Sequence, residues 1–190
     1  MSRAMSRKVL ALAAAAVVVV VLGLLGLWRW GPLGHDEVVP SCGDVADALP
    51  EVMAGSWTLT RAEPKREVDR SRVRCEFDFT SADQAYRGRI LLSLIESDDE
   101  AFLRRTATTG PCEGEAVPNS SAPRYEVARS CARRINDKIF ASVLLASDRR
   151  YAYILADFSS PGRPIEQVIA YANLSAQHIT DQAMTLDATD

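Results

Sequence analysis

Arg72-Val73-Arg74-Cys75-Glu76-Phe77-Asp78-Phe79-Thr80 alternates without a fault. Val73, Cys75, Phe77 and Phe79 fall on one side of the chain, and Arg72, Arg74, Glu76 and Asp78 on the other. Successive side chains of a strand point to opposite faces, so the run reads as a strand with one dry face and one wet face. A sheet that is wet on one side is characteristically antiparallel, and its dry side has to be covered by helices.

The flanking segments fit that frame. Trp57 to Arg61 is a short β-rich run, and Tyr86 to Ile95 is a longer one whose apolar second half suits a central strand with both faces covered. Tyr125 to Arg133, Lys138 to Ser147 and Tyr151 to Phe158 are also strand-like. Ile135-Asn136-Asp137 and Asp148-Arg149 separate them at lengths that suit antiparallel hairpins. Between Gly110 and Pro123 the breakers Pro111, Gly114, Pro118, Asn119 and Pro123 predict an exposed loop held by Cys112.

Three helices complete the domain. Ser41 and Asp44 form a capping box for a first helix carrying Val45, Ala48 and Leu49 to about Met53, with Pro50 placed to end it early. Ser97 and Glu100 form a second capping box, over a helix that carries Phe102 and Leu103 and stops before Gly110. Pro164 opens a closing helix with the stripe Ile165, Val168, Ile169, Ala172, Ala176 and Ile179. The predicted fold is α+β, an antiparallel sheet of about six strands packed with two or three helices over residues 41–182, with a frayed tail at 183–190. The two halves share an element order, but no residue-level repeat supports a duplication.

Ahead of this domain lies an apolar run from Val9 to Trp28, with Arg3, Arg7 and Lys8 before it and Arg29 after it. Twenty residues at ~1.5 Å each cover about 30 Å, the hydrocarbon thickness of a bilayer. Basic residues collect on the cytoplasmic side. The prediction is a cytoplasmic tail at 1–8, a single transmembrane helix at 9–28 acting as a signal-anchor, a linker at 29–40 and an extracytoplasmic domain. Trp28 and Trp30 fall at the outer interface. A cleaved signal peptide is the rival, but neither a small-x-small cleavage site nor a lipid-bearing cysteine follows the run.

Cys42, Cys75, Cys112 and Cys131 all follow the span, with no C-x-x-C pair and no histidine at zinc-finger spacing. In an oxidising compartment an even count favours disulfides. Of the three connectivities, Cys42 with Cys75 and Cys112 with Cys131 is preferred, because short loops close more readily. Only three of the 22 basic residues are lysines, Lys8, Lys65 and Lys138. With the abundant Ala and Val, this composition is associated with high-GC bacterial genomes. Beyond Trp30 the chain has 18 basic and 25 acidic residues, a net charge of about −7 that argues against nucleic acid as a partner.

Pro40-Ser41-Cys42 opening a helix with Val45 and Leu49, followed by Arg74-Cys75-Glu76-Phe77 in an alternating strand, resembles actinobacterial exported four-cysteine domains of unknown function. Many of those are lipoproteins, whereas this chain has a predicted span in place of a lipid-bearing cysteine. The resemblance covers Pro40 to His178. It implies residence in the cell envelope and no particular activity, although some similar ectodomains are sensor or ligand-binding modules.

Catalytic signatures are missing from the sequence. His35 and His178 have no partner at metal-ligand spacing, and no nucleophile elbow, phosphate loop or zincin motif occurs. No cofactor or metal is therefore expected. Asp98-Asp99-Glu100 lies where a helix start uses negative charge, which accounts for it better than calcium binding does. Asn173-Leu174-Ser175 matches a glycosylation triplet but falls within the closing helix.

Arg72, Arg74, Arg87 and Arg89 stand on adjacent predicted strands and form a candidate binding face, since like charges facing one another require acids or a ligand among them. The competing reading pairs them with Glu76 and Asp78. The expected function is a non-enzymatic, membrane-anchored binding or interaction module outside the membrane, for a small-molecule ligand or an envelope protein. Its alternatives are an envelope hydrolase acting through Glu76, Asp78 or Glu96, and a structural subunit of a membrane complex.

Overall fold

The computed structural model describes residues 39–67 and 70–187. The expected tail and span at 1–28 and linker residues 29–38 lie outside the described residues. Among the described residues no helix is long and apolar enough to cross a membrane.

The domain is α+β. Helix α1 (Cys42–Val52) leads into strands β1 (Gly55–Arg66), β2 (Arg70–Ser81) and β3 (Arg87–Ser97). Helix α2 (Glu100–Thr109), the two-residue strand β4 (Glu115–Ala116) and a 3-10 turn at Ala122–Arg124 follow. Strands β5 (Val127–Ile135), β6 (Lys138–Ala146) and β7 (Arg150–Ser159) then precede helix α3 (Ile165–Thr185). They form one seven-stranded sheet in the order β1-β2-β3-β7-β6-β5-β4, antiparallel at every junction.

The alternation of β2 survives into the structure. Val73, Cys75, Phe77 and Phe79 are buried on the inner face beneath α1 and α3, with Ile90, Leu92 and Leu94 of β3 and Ile154, Ala156 and Phe158 of β7. Alanines face one another across this interface, Ala172, Ala176 and Ala183 on α3 and Ala141, Ala152 and Ala156 on the sheet, so the long helix settles close to it. Helix α2 covers the outer face at one end only. Leu103 and Ala107 pack there on Ile95, Leu144, Ala146 and Tyr151. This second layer buries both sides of β3 at its C-terminal end, as its apolar second half required.

Both disulfides have the preferred pairing, Cys42–Cys75 and Cys112–Cys131, each with a Cα–Cα distance of 5.5 Å. The first ties the opening turn of α1 to the sheet. The second anchors the loop between α2 and β5, where β4 pairs with Ala132 and Cys131.

Several boundaries differ from expectation. β1 runs on to Arg66 through Pro64, which an edge strand tolerates because one side of its backbone has no ladder to donate to. Val39 and Pro40, assigned to the linker, are buried. Pro50 lies inside α1 without ending it. The Ser41–Asp44 capping box is present as expected.

The cap of α2 belongs to Asp99, whose carboxylate accepts the Phe102 N–H at 2.8 Å, while Ser97 Oγ accepts the Asp99 N–H at 3.1 Å. Replacing Asp99 by Ala is expected to cost about 1 kcal/mol, read as a lower urea midpoint with an unchanged slope. An unmoved midpoint would show that this cap contributes nothing.

The tail expected to fray from Ala183 is helical to Thr185, and Ala183 and Met184 are buried. Arg150 Nη1 donates to the carbonyls of Ala183, Met184 and Leu186 at 3.2, 3.0 and 2.6 Å, and the Arg150 guanidinium also pairs with Glu96. Arg129 does the same for α2, donating to the carbonyls of Ala107, Thr108 and Gly110 at 3.1, 2.6 and 3.1 Å. Neither helix has a basic residue in its own last turn, so strand arginines supply the positive charge that a helix C-terminus attracts.

Candidate functional site

Because α2 covers only one end of the outer face, most of that face stays wet. The register lays out its rows. Glu63, Arg74, Ser93 and Tyr153 face one another across β1, β2, β3 and β7. Beside that row stand Lys65, Arg72 and Ile95, and on its other side Arg61, Glu76 and Leu91. The middle of this array is a cleft of ≈ 430 Å³ lined by Lys65, Arg72, Arg74, Leu91, Ser93 and Tyr153, with Glu63 and Pro64 at its β1 wall.

The charges in the cleft are unbalanced. Glu63 is paired with Arg61, and Glu67 takes both Lys65 at 2.6 Å and Arg70 at 3.0 Å. Arg72 and Arg74 are exposed and form no side-chain hydrogen bond or ion pair among the described residues. Lys65 lies directly across the ladder from Arg72, a like-charge arrangement that costs energy unless an anion is shared. The field is felt nearby: the hydrogen bond and charge of Lys65, then the charges of Arg70 and Arg72, hold the Glu67 carboxyl below the usual glutamate range.

Tyr153 adds a neutral donor. Burial, then the negative charge of Glu113, raises its phenol above the usual value, against the opposing pull of Arg74 and Arg133. With Ser93 it offers hydroxyls over the Leu91 floor, so the cleft combines two unpaired guanidinium groups, uncharged hydrogen-bonding groups and one apolar surface. That combination suits an anion with an organic body.

The four arginines predicted as one binding face do share the outer face, but antiparallel pairing separates them. Arg72 is opposite Ile95 and Arg74 opposite Ser93, whereas Arg89 is opposite Asp78 and Arg87 opposite Thr80. Arg87 and Arg89 line a separate depression of ≈ 230 Å³ in which Arg89 pairs with Asp78 at 3.4 Å and Lys138 with Asp157 at 3.2 Å. The expected pairing with Asp78 therefore holds for Arg89, and the unpaired cations Arg72 and Arg74 make the stronger candidate site.

The carboxylates considered for hydrolysis do not converge. Asp78 is engaged by Arg89, Glu76 stands opposite Leu91, and Glu96 pairs with Arg150 near the end of α3. His178 is exposed on α3, and His35 lies outside the described residues. Among the described residues no three His, Cys, Asp or Glu side chains come together as a metal-ligating group.

Sequence reasoning missed Ser93 opposite Arg74 and, in the same cleft, Leu91 and Tyr153. Tyr153 joins the cleft only through the pairing of β3 with β7, which no local pattern announces.

The chain matches no family model and no curated protein. Among solved structures it is similar to one described as a GTP binding regulator from Thermotoga maritima. That match covers 74% of this chain and 93% of the other at 8% identity, with a TM-score of 0.34. A likeness at that level carries no argument about fold or activity.

Proposed function

We propose that this protein is a binding module of the bacterial cell envelope, held at the membrane by the Val9–Trp28 span with residues 41–182 outside. Its ligand site is the outer-face cleft, where a small organic anion is received by Arg72 and Arg74. The observation that carries the reading is the pair of unpartnered guanidinium groups beside Ser93 and Tyr153 in a cleft whose one lining acid, Glu63, is already engaged by Arg61, with nearby Glu67 held by Lys65 and Arg70. The disulfides suit an oxidising compartment. Dispersed carboxylates favour recognition over turnover.

The test is a titration of the full-length protein, purified from membranes, with phenyl phosphate. A saturable 1:1 interaction is expected, weakened about 10- to 100-fold by Arg74→Gln, the loss typical of one charge-assisted hydrogen-bonding partner. Arg87→Gln, on the same face but outside the cleft, is expected to leave it unchanged. Absence of saturable binding, or equal affinity in Arg74→Gln, would sink the site. In the same preparation a full-length intact mass recovered from washed membranes supports the anchor, and a shorter soluble species overturns it.

A further inference from the structure

Four polar side chains stand in one line across the cleft. Glu63 faces Arg74, Arg74 faces Ser93 and Ser93 faces Tyr153, one residue from each of β1, β2, β3 and β7. Glu63 is taken by Arg61, but the Arg74 guanidinium and the hydroxyls of Ser93 and Tyr153 have no hydrogen-bonding partner among the described residues. From Arg74 to Tyr153 is two strand spacings, about 10 Å. A lone inorganic anion on Arg72 and Arg74 would leave both hydroxyls to water. A hydrocarbon body would desolvate them without supplying the bonds they lose.

We infer that the ligand is a sugar phosphate, its phosphate on Arg72 and Arg74 and its ring hydroxyls on Ser93 and Tyr153. This rests on the anion-binding reading of the cleft and names the body that the anion carries. Charge selects the head. A phosphate monoester carries about −1.5 to −2 at neutral pH, which two unpaired guanidinium groups match better than they match the single charge of a carboxylate. Glu63, the one acid lining the cleft, repels negative charge at the β1 wall, so the body runs from Arg74 toward Tyr153. The hydroxyls select the body. Each both donates and accepts, as the hydroxyls of a sugar do, and Leu91 beside them gives the C–H face of the ring an apolar surface to rest on. Tyr153 also packs against the apolar cluster under α2, so its position is set before the ligand arrives.

The full-length protein in phosphatidylcholine nanodiscs, which avoid sugar-headed detergents, is titrated with glucose 1-phosphate, cyclohexyl phosphate and methyl glucoside. The two phosphates share charge and ring size and differ in their hydroxyls. Glucose 1-phosphate is expected to bind about 10-fold more tightly than cyclohexyl phosphate, from two hydrogen bonds that each contribute about threefold. Methyl glucoside, without the phosphate, is expected to bind at least about 100-fold more weakly than glucose 1-phosphate. Ser93→Ala and Tyr153→Phe each delete one hydroxyl, and each should lower the affinity for glucose 1-phosphate about threefold while leaving cyclohexyl phosphate unchanged. Arg74→Gln should weaken both phosphates alike.

Cyclohexyl phosphate binding as tightly as glucose 1-phosphate, or a preference that survives intact in both Ser93→Ala and Tyr153→Phe, overturns the sugar and leaves the anion site standing. If methyl glucoside matches glucose 1-phosphate, or if Arg74→Gln binds both phosphates as the parent does, the anion site falls as well.

Discussion

Arg150→Met is expected to destabilise the domain by about 3–5 kcal/mol, the range found when one partner of a buried ion pair is removed. The side chains of Arg150 and Glu96 are only 13% and 16% exposed, so Glu96 would be left as a carboxylate in a largely dry site. The same change removes the donor to the carbonyls of Ala183, Met184 and Leu186, which have no basic neighbour in the last turn of α3 to replace it. Met retains the length and apolar stem of the side chain, so the loss reports on charge and hydrogen bonding more than on packing.

Chemical denaturation of the parent, Arg150→Met, Glu96→Gln and the double variant supplies the cycle. The double variant is expected to be less damaged than the sum of the singles, because the uncompensated carboxylate is gone. Additive losses would show that the two groups do not act together. A change below about 1 kcal/mol in Arg150→Met would place the pair with ordinary surface ion pairs. Hydrogen exchange separates the two roles of the guanidinium: loss of the cap opens the amides of the last turn of α3 before the sheet opens.

This arginine also marks the limit of what the sequence conveys. β2 was legible because its two faces differ in every residue from Arg72 to Phe79, and α3 was legible from its apolar stripe. The Ser41–Asp44 box was legible because both partners lie three residues apart. Local features of this kind are written into adjacent residues. The end of α3 was not, because Arg150 caps it from a strand more than 30 residues earlier, and residues 183–185 looked unprotected without it. β1 was cut short at Arg61 for a related reason. The β-rich pattern stops there, and Pro64 and the charges around it are admissible in a strand only because β1 is at the sheet edge.

The candidate site divides the same way. That Arg72, Arg74, Arg87 and Arg89 share a face follows from the two-residue period of the strands. Which of them meet depends on register. Antiparallel pairing of β2 with β3 brings Arg89 to Asp78 and leaves Arg74 beside Ser93, an arrangement that one residue of slip would abolish by turning the β3 side chains to the other face.

Removing the Cys42–Cys75 disulfide with a double Ala substitution is expected to cost about 4 kcal/mol, and removing Cys112–Cys131 about 3 kcal/mol, from loop entropy alone. The loops span 33 and 19 residues, so the longer closure restrains the unfolded chain more. Surroundings widen the gap. Cys42 and Cys75 are both in the main core, where lost sulfur volume leaves space between α1 and β2, whereas Cys112 is half-exposed on the loop before β4. Non-reducing denaturation of the two double variants gives the order, and graded thiol treatment of the parent checks it independently. The accessible Cys112–Cys131 bridge is expected to take up alkylating reagent first, with the domain still folded, while Cys42–Cys75 opens only along with α1. If both bridges open together, or if loss of Cys112–Cys131 proves the costlier, then the loop that ends at β5 is part of the cooperative core, and α1 is not secured to the sheet mainly through Cys42.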